Sequence, residues 1–405
     1  MRRAVRPGAA LGAALWVVAA PAVAATLAEH FAAAVERSPE VALAQGEVRA
    51  SAARARGAAR LYKGAPQLSL GYFSDDPLTD DGFVEQEYEL GAEMWLPGER
   101  RAATLEPAPA RRLGLAGRDV ARLELAARVR SAYWDLALAE RLLEIERQAA
   151  SREAETRDAV ARLVEARELP PNDAELASAA LAARQREAAT LAAQADAAAA
   201  VLEQLTGIAR SAGVAEARTG DVPSEGSGLD PHPELLAAVA RRDMLAAAAE
   251  RSARDLGASP ELAIVMRRER AVQGAPYEES IGLRVTVPFG RSAESGINRF
   301  EVAAAAAAAT LAESRQRERV VANLRLAQRA HETAEANAVL ARGERDALAR
   351  VLAGVEAAYR EGEGSFLELQ RAREGLLEAE RDLAEAENRA GRALSDLLQA
   401  EGRLP

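Results

Sequence analysis

The side chains of this chain best suited to chemistry are three histidines, His30, His232 and His331, and a period-two set of carboxylates, Glu87, Glu89 and Glu93. The histidines lie far apart in sequence, and none stands in a metal-ligand spacing such as His-x-x-x-His. There is no cysteine, hence no thiolate nucleophile and no disulfide. Residues of these types at these spacings supply no catalytic, cofactor-binding or metal-binding constellation, so the chain is not expected to be an enzyme or to carry a cofactor. The glutamates are different. Alternate positions on a strand share one face. Three carboxylates on one face make either a solvated surface or, if the other face meets lipid, the lining of a water-filled pore. Arg267 and Arg284 alternate in the same way in a second strand pair and would share that lining.

The elements that must position these residues occur twice. Ser38-Pro39-Glu40-Val41 has its counterpart in His232-Pro233-Glu234-Leu235, 194 positions on. Pro66 and Pro260 follow at the same offset. Each opens an alternating segment, and the segments end in Leu96-Pro97-Gly98 and Val287-Pro288-Phe289-Gly290. A sentence said twice means one structural unit used twice. His232 stands where the first copy has Ser38, which suits a capping or packing role.

Composition narrows the setting. Residues 1–24 read as a secretory signal: Arg2, Arg3 and Arg6, an apolar run from Ala9 to Ala20, then Ala22-Val23-Ala24. Removing the three arginines takes the formal charge from −10 to −13, which argues against nucleic acid as a partner. The absence of cysteine also excludes a lipid anchor at the mature N-terminus. No later segment is long and apolar enough for a membrane helix. Any membrane entry must use strands.

The coarse reading is mainly helical with a small β part. In the first repeat (25–210) a helix from Thr26 to Tyr62, interrupted at Pro39, precedes a strand hairpin (66–97). A long helix to about Ala166 follows, with a turn at 167–172 where Asn172 or Asp173 can cap the returning helix. A linker (211–231) leads to the second repeat (232–402), with its hairpin at 260–288 and its helical turn at 361–365. The returning helix 173–207 and the following helix 233–257 together nearly match the long helix and are expected to stack end to end beside it. Leu68, Leu70, Tyr72, Tyr88, Leu90, Leu262, Ile264, Met266, Ile281, Leu283 and Val285 form the apolar strand faces. Each strand is about as long as a tilted membrane strand. Aromatic residues gather at the strand ends like an interfacial girdle. Four strands cannot close a barrel, and an open edge in lipid leaves backbone groups unpaired. Three copies would supply twelve strands, continued by a long helical tube.

The paired repeat, the hairpins flanked by Pro66/Pro97 and Pro260/Pro288, and the Pro288-Phe289-Gly290-Arg291 junction resemble outer-membrane efflux proteins of the TolC family. The compact length and that junction look most like the branch serving heavy-metal pumps of the cobalt–zinc–cadmium type. The resemblance implies a homotrimeric exit duct in the outer membrane of a Gram-negative bacterium. It also implies outer-membrane lipid, a periplasmic adaptor (a membrane fusion protein) and an inner-membrane RND (resistance–nodulation–division) pump as partners. Heavy-metal cations are the implied cargo, with drug efflux and type I secretion as rivals; a periplasmic coiled-coil scaffold or adaptor is the alternative of a different class. At the helical turns the family pattern of a glycine followed by an acidic residue is matched by Gly362 and Glu368. In the first copy Asp173 fits the acidic position, but Arg167 stands where glycine is expected. Glu368, tripled by symmetry, would make an acidic ring, or would simply cap its helix. Phe366, Leu367 and Leu369 suit adaptor docking, or packing between helices.

Overall fold

The computed structural model describes residues 25–209 and 232–405, apart from 59, 77, 79, 80, 97, 106, 255–257, 291, 292 and 362. The expected signal segment 1–24, the linker 211–231, Pro97, Gly362 and Arg291 therefore lie outside the described residues.

Two helices open the described part of the chain, α1 (Leu27–Arg37) and α2 (Pro39–Ala58). Thr26 starts α1 with a reciprocal cap: its hydroxyl accepts from the Glu29 N–H, and the Glu29 carboxylate accepts from the Thr26 N–H at 2.7 Å. Ser38 separates the two helices, and its hydroxyl accepts from the Val41 N–H. The helical stretch expected from Thr26 is thus interrupted at Pro39, as its sequence indicated, the proline ring being tolerated at the first helical position.

Strands β1 (Gln67–Ser74) and β2 (Val84–Glu93) form the first hairpin; β3 (Glu261–Arg270) and β4 (Glu278–Thr286) form the second. All four join in one antiparallel sheet in the order β1-β2-β3-β4, so β1 and β4 are its edges. The register puts Leu68, Leu90, Ile264 and Leu283 in one row and Leu70, Tyr88, Met266 and Ile281 in the next. Every one of these side chains is exposed, from 42% at Met266 to 78% at Ile281. The row beyond is Tyr72, Gln86, Arg268 and Glu279, where the apolar band ends.

The helical part repeats the same plan. After α3 (Glu99–Leu105) come the long α4 (Pro107–Glu165), the returning α5 (Pro171–Thr206) and α6 (Pro233–Arg254). The second copy adds α7 (Ala293–Arg360) and α8 (Phe366–Ala400). At 1.5 Å per residue the 68 residues of α7 reach about 100 Å. Helix α4 packs against α2 and α5 on one side and against α6 and α8 on the other; α7 packs against α6 and α8.

The half-length helices join differently from the sequence expectation. His30 of α1 lies against Thr206 at the end of α5, with 3.4 Å between Nδ1 and Oγ1. Gly402, just past α8, abuts His232 and Pro233 at the start of α6. So α5 continues into α1 and α2, and α8 into α6, rather than α5 into α6. The reason is local: Gly207 and Gly402 each terminate a returning helix in the left-handed conformation (φ 72° and 76°). Each end then seats against the opening helix of its own repeat. The main core sits at the first of these joins, around Leu27, Phe31, Val129, Tyr133, Leu136 and Leu202.

Candidate pore-lining face and helical tip

The face of the sheet opposite the apolar band gathers the charges. Strand β2 supplies Glu85, Glu87, Glu89 and Glu93, β3 supplies Glu261, Arg267 and Glu269, and β4 supplies Glu278 and Arg284. Seven carboxylates against two guanidinium groups leave a formal charge of −5. The five expected residues, Glu87, Glu89, Glu93, Arg267 and Arg284, all fall on this one face, and four of them touch. Arg267 pairs with Glu85 at 2.8 Å and with Glu87 at 3.4 Å. Arg284 pairs with Glu87 at 2.8 Å and also with Glu89. Arg284 sits on β4 and its partners on β2, so the side chain crosses β3. Beneath it, Ala263 and Val265 are buried. Glu85 belongs to this network although the alternation read from sequence began at Glu87; its place two residues earlier at the same parity was the available signal. Glu93 lies at the helical end of the face, away from the ion pairs of the other four, and its backbone carbonyl accepts from the Lys63 N–H.

That junction between sheet and helices holds the chain's single lysine. The Lys63 ammonium pairs with the buried carboxylate of Glu99 at 2.7 Å and donates to the Ser259 hydroxyl at 2.8 Å. One bond network thereby ties the first hairpin, α3 and the approach to the second hairpin. Sequence reasoning singled out neither Lys63 nor Glu99, because their contact joins segments that no local pattern relates.

At the far end of the rods the two helical turns differ. The α4 turn is a Schellman closure: the Glu168 N–H donates to the Leu163 carbonyl and the Arg167 N–H to that of Val164. Arg167 sits in the left-handed region at φ 62°, alone in this among the described non-glycine residues. The position where a glycine was expected thus has the backbone that favours glycine. Helix α5 then starts with Pro171 at its first position and no side-chain cap, so Asn172 and Asp173 are first-turn residues rather than caps. Proline has no N–H to satisfy there, which lessens the need for one.

The second turn is capped by its side chains. The Ser365 hydroxyl accepts from the Glu368 N–H, and the Glu368 carboxylate accepts from the Ser365 N–H at 3.0 Å. These bonds hold the Glu368 carboxyl below the ordinary range, chiefly through the backbone N–H of Ser365. Glu368 therefore both caps α8 and keeps a negative charge at the tip.

The three docking candidates separate. Leu369 is 4% exposed and faces inward, which removes it from any surface patch. Phe366 is half-buried against Tyr359, with ring centroids 6.4 Å apart. Both line a cleft of about 330 Å³ between the end of α4 and the α7–α8 turn, with Val160 and Leu163 opposite. Only Leu367 of the three is exposed, at 59%. Position three residues into an amphipathic helix turns Leu369 toward the core stripe of α8, which the sequence period itself contained.

The histidines occupy structural positions. His30 is buried, edge-on to Tyr133, and burial lowers its pKa against an upward pull from Glu29. The Nδ1 of His232 accepts from the Glu234 N–H at 3.2 Å, capping α6. His331 is buried in α7 beside Glu335. Among the described residues no three His, Cys, Asp or Glu side chains converge on a cation site.

No protein-family model matches the chain, and no curated protein matches it by sequence. Solved structures do share its fold. The CmeC outer membrane channel of Campylobacter jejuni superposes with a TM-score of 0.72 at 15% identity, covering 99% of this chain and 94% of that one. The outer membrane protein VceC of Vibrio cholerae gives 0.72 at 16% identity, covering 93% and 96%. CusC, described by its transmembrane channel formation, gives 0.75 at 15% identity, covering 93% and 92%. The likeness runs over nearly the whole of each chain, so helices and sheet are shared as one unit.

Proposed function

We propose that three copies of this chain form an outer-membrane exit duct of a tripartite efflux system, fed by a periplasmic adaptor and an inner-membrane RND pump. The observation that carries the reading is the four-stranded sheet: one face exposed and apolar, the other charged, with both edges open. Such a sheet is stable in lipid only when its edges are paired. Joining β4 of one copy to β1 of the next gives twelve strands, lipid outside and charge inside. The fold shared with outer-membrane channels supports the same arrangement.

The duct makes and breaks no bonds. The pump supplies energy, and the chain supplies a wetted path whose walls bias what passes. Small cations, heavy-metal ions first among them, are the proposed cargo. The support is the −5 inner face in each copy, the anionic Glu368 at the tip, and the branch resemblance of the Pro288–Arg291 junction. Asp173, Arg167 and Gly362 are assigned to the tip with it, and Leu367 to the adaptor contact.

Deleting the gene and measuring growth and cell metal content across zinc, cobalt, cadmium, nickel, copper and silver, beside a drug panel, tests this. Selective metal sensitivity with raised cell metal is the expected result. Sensitivity to drugs alone moves the cargo and keeps the duct. Recovery of the chain as a detergent-free soluble protein would overturn the duct itself.

A further inference from the structure

The two repeats correspond residue for residue in their helical halves. Gly207 and Gly402 share the left-handed cap, Leu202 and Leu397 are both buried, and so are Leu181 and Leu376, all offset by 195 positions. Yet the long helices of the two repeats have different surroundings. Helix α4 is flanked by the α2/α5 pair and, on its other side, by the α6/α8 pair of the second repeat. Helix α7 has its α6/α8 pair, and its other flank is open among the described residues.

That open flank is apolar. Leu311, Leu326 and Leu340 lie 14 to 15 residues apart, close to four helical turns, and so share one face of α7. Leu311 and Leu340 are 63% and 71% exposed, whereas their counterparts on α4, Ala116 and Ile145, are buried. Ile145 is covered by Leu377 and Ala384 of α8. The same seam carries a bond from the Arg130 guanidinium to the Gln399 side-chain oxygen at 2.5 Å.

We infer that the open flank of α7 is covered by the α2/α5 pair of a second copy, in the register that α6/α8 takes on α4. Shifting each residue of the internal seam by the repeat offset gives the contacts. Leu340 meets Ala182 and Ala189 of the second copy, both exposed in the single chain. Arg325 meets Gln204 of the second copy, repeating the Arg130–Gln399 pair with the same two residue types. A cation and an amide recurring at corresponding places on two exposed surfaces is what a repeated seam requires.

The seams are not equal. Inside the chain, buried Glu146 of α4 holds Arg381 of α8, with Arg184 of α5 at 3.8 Å. The corresponding residues between copies are Ala341, Arg186 and Ala379. The contact between copies therefore lacks the ionic lock and relies on apolar packing, and the smaller Ala182 and Ala189 let the helices approach more closely.

The inference rests on the trimeric reading above and adds its register. The chain has no native cysteine, so paired substitutions report contact directly. In detergent-purified full chain, Leu340→Cys with Ala189→Cys, and separately Arg325→Cys with Gln204→Cys, should form covalent dimers and closed trimers on mild oxidation or with a short bismaleimide. Leu340→Cys with Gln204→Cys, separated by about 22 Å along the helix in this register, should not. Native mass measured on the same samples separates the outcomes. Trimers that link in the third pairing, or in neither of the first two, overturn the register and leave the duct standing. Monomers at working concentration overturn both.

Discussion

Replacing Arg284 with glutamine removes the one side chain that spans β3 to neutralise both Glu87 and Glu89. The inner face of each copy passes from a formal charge of −5 to −6. In the proposed trimer, twelve strands about 4.8 Å apart and tilted about 40° give a perimeter of about 75 Å and a radius of about 12 Å. With side chains pointing inward, the lost charges sit about 8 Å from the axis, one per copy. In water at 0.1 M salt, where the screening length is about 10 Å, removing three such charges makes the axial potential about 30 mV more negative. Cation occupancy on the axis then rises about threefold, anion occupancy falls about threefold, and the cation-to-anion permeability ratio rises several-fold. Reversal potentials of single channels in planar bilayers under a potassium chloride gradient measure this ratio. Glu87→Gln should move it the opposite way by a similar factor. In 1 M salt, where screening falls to about 3 Å, the difference should nearly vanish. An unchanged ratio at 0.1 M, a shift toward anions, or an effect that survives 1 M salt would refute the assignment of this face to the pore.

Further expectations concern the scaffold. Glu146→Ala leaves Arg184 and Arg381 facing an empty site and should cost about 3 kcal/mol in denaturant unfolding, toward the lower end for a broken buried pair because both arginines keep partial water access. Joint replacement of Glu146 and Arg381 by leucine should cost far less. Arg167→Gly relieves a left-handed arginine and should raise stability by about 0.5–1 kcal/mol, read as a higher thermal midpoint; a fall would show that the arginine side chain makes a contact worth more than its backbone costs. His30, whose folded pKa burial sets below 6.5, contributes stability that is complete above pH 6.5 and is withdrawn as the pH falls toward the folded value. Asp396 and Glu401, raised by burial, act in the opposite sense. The midpoint of the wild type should therefore drop more steeply between pH 7 and 5 than that of His30→Asn, and parallel curves would remove His30 as a contributor.

What the sequence made legible was whatever local periodicity encodes. Alternation at period two placed Leu68 to Val285 on one sheet face and Glu87 to Arg284 on the other, because side-chain direction in a strand follows from parity alone. Duplicated prolines and glycines marked where elements begin and end. Contacts between distant segments were less legible. The end-to-end joining of α5 with α1, and of α8 with α6, depends on which cap meets which opening helix, and the length match that suggested α5 with α6 carries no such information. Lys63 and Glu99 meet through tertiary geometry only. For Leu369 the sequence left docking and helix packing both open, and burial places it with packing; Leu369, Leu376 and Leu383 mark the helical period along α8 that pointed the same way. Arg167 shows the reverse case: the sequence departs from glycine, and the backbone keeps the glycine conformation.

The strand order β1-β2-β3-β4 has a consequence for how the molecule comes to exist. Each hairpin closes within its own short stretch of chain, but the pairing of Glu93 with Glu261 joins residues separated by two full-length helical passes. Contacts of such separation are slow to form and expose their unpaired partners meanwhile. Here α4 runs alongside α6, so the packed rods place the ends of the two hairpins side by side independently of the backbone bonds between them. The helices thus act as the assembly jig for the sheet.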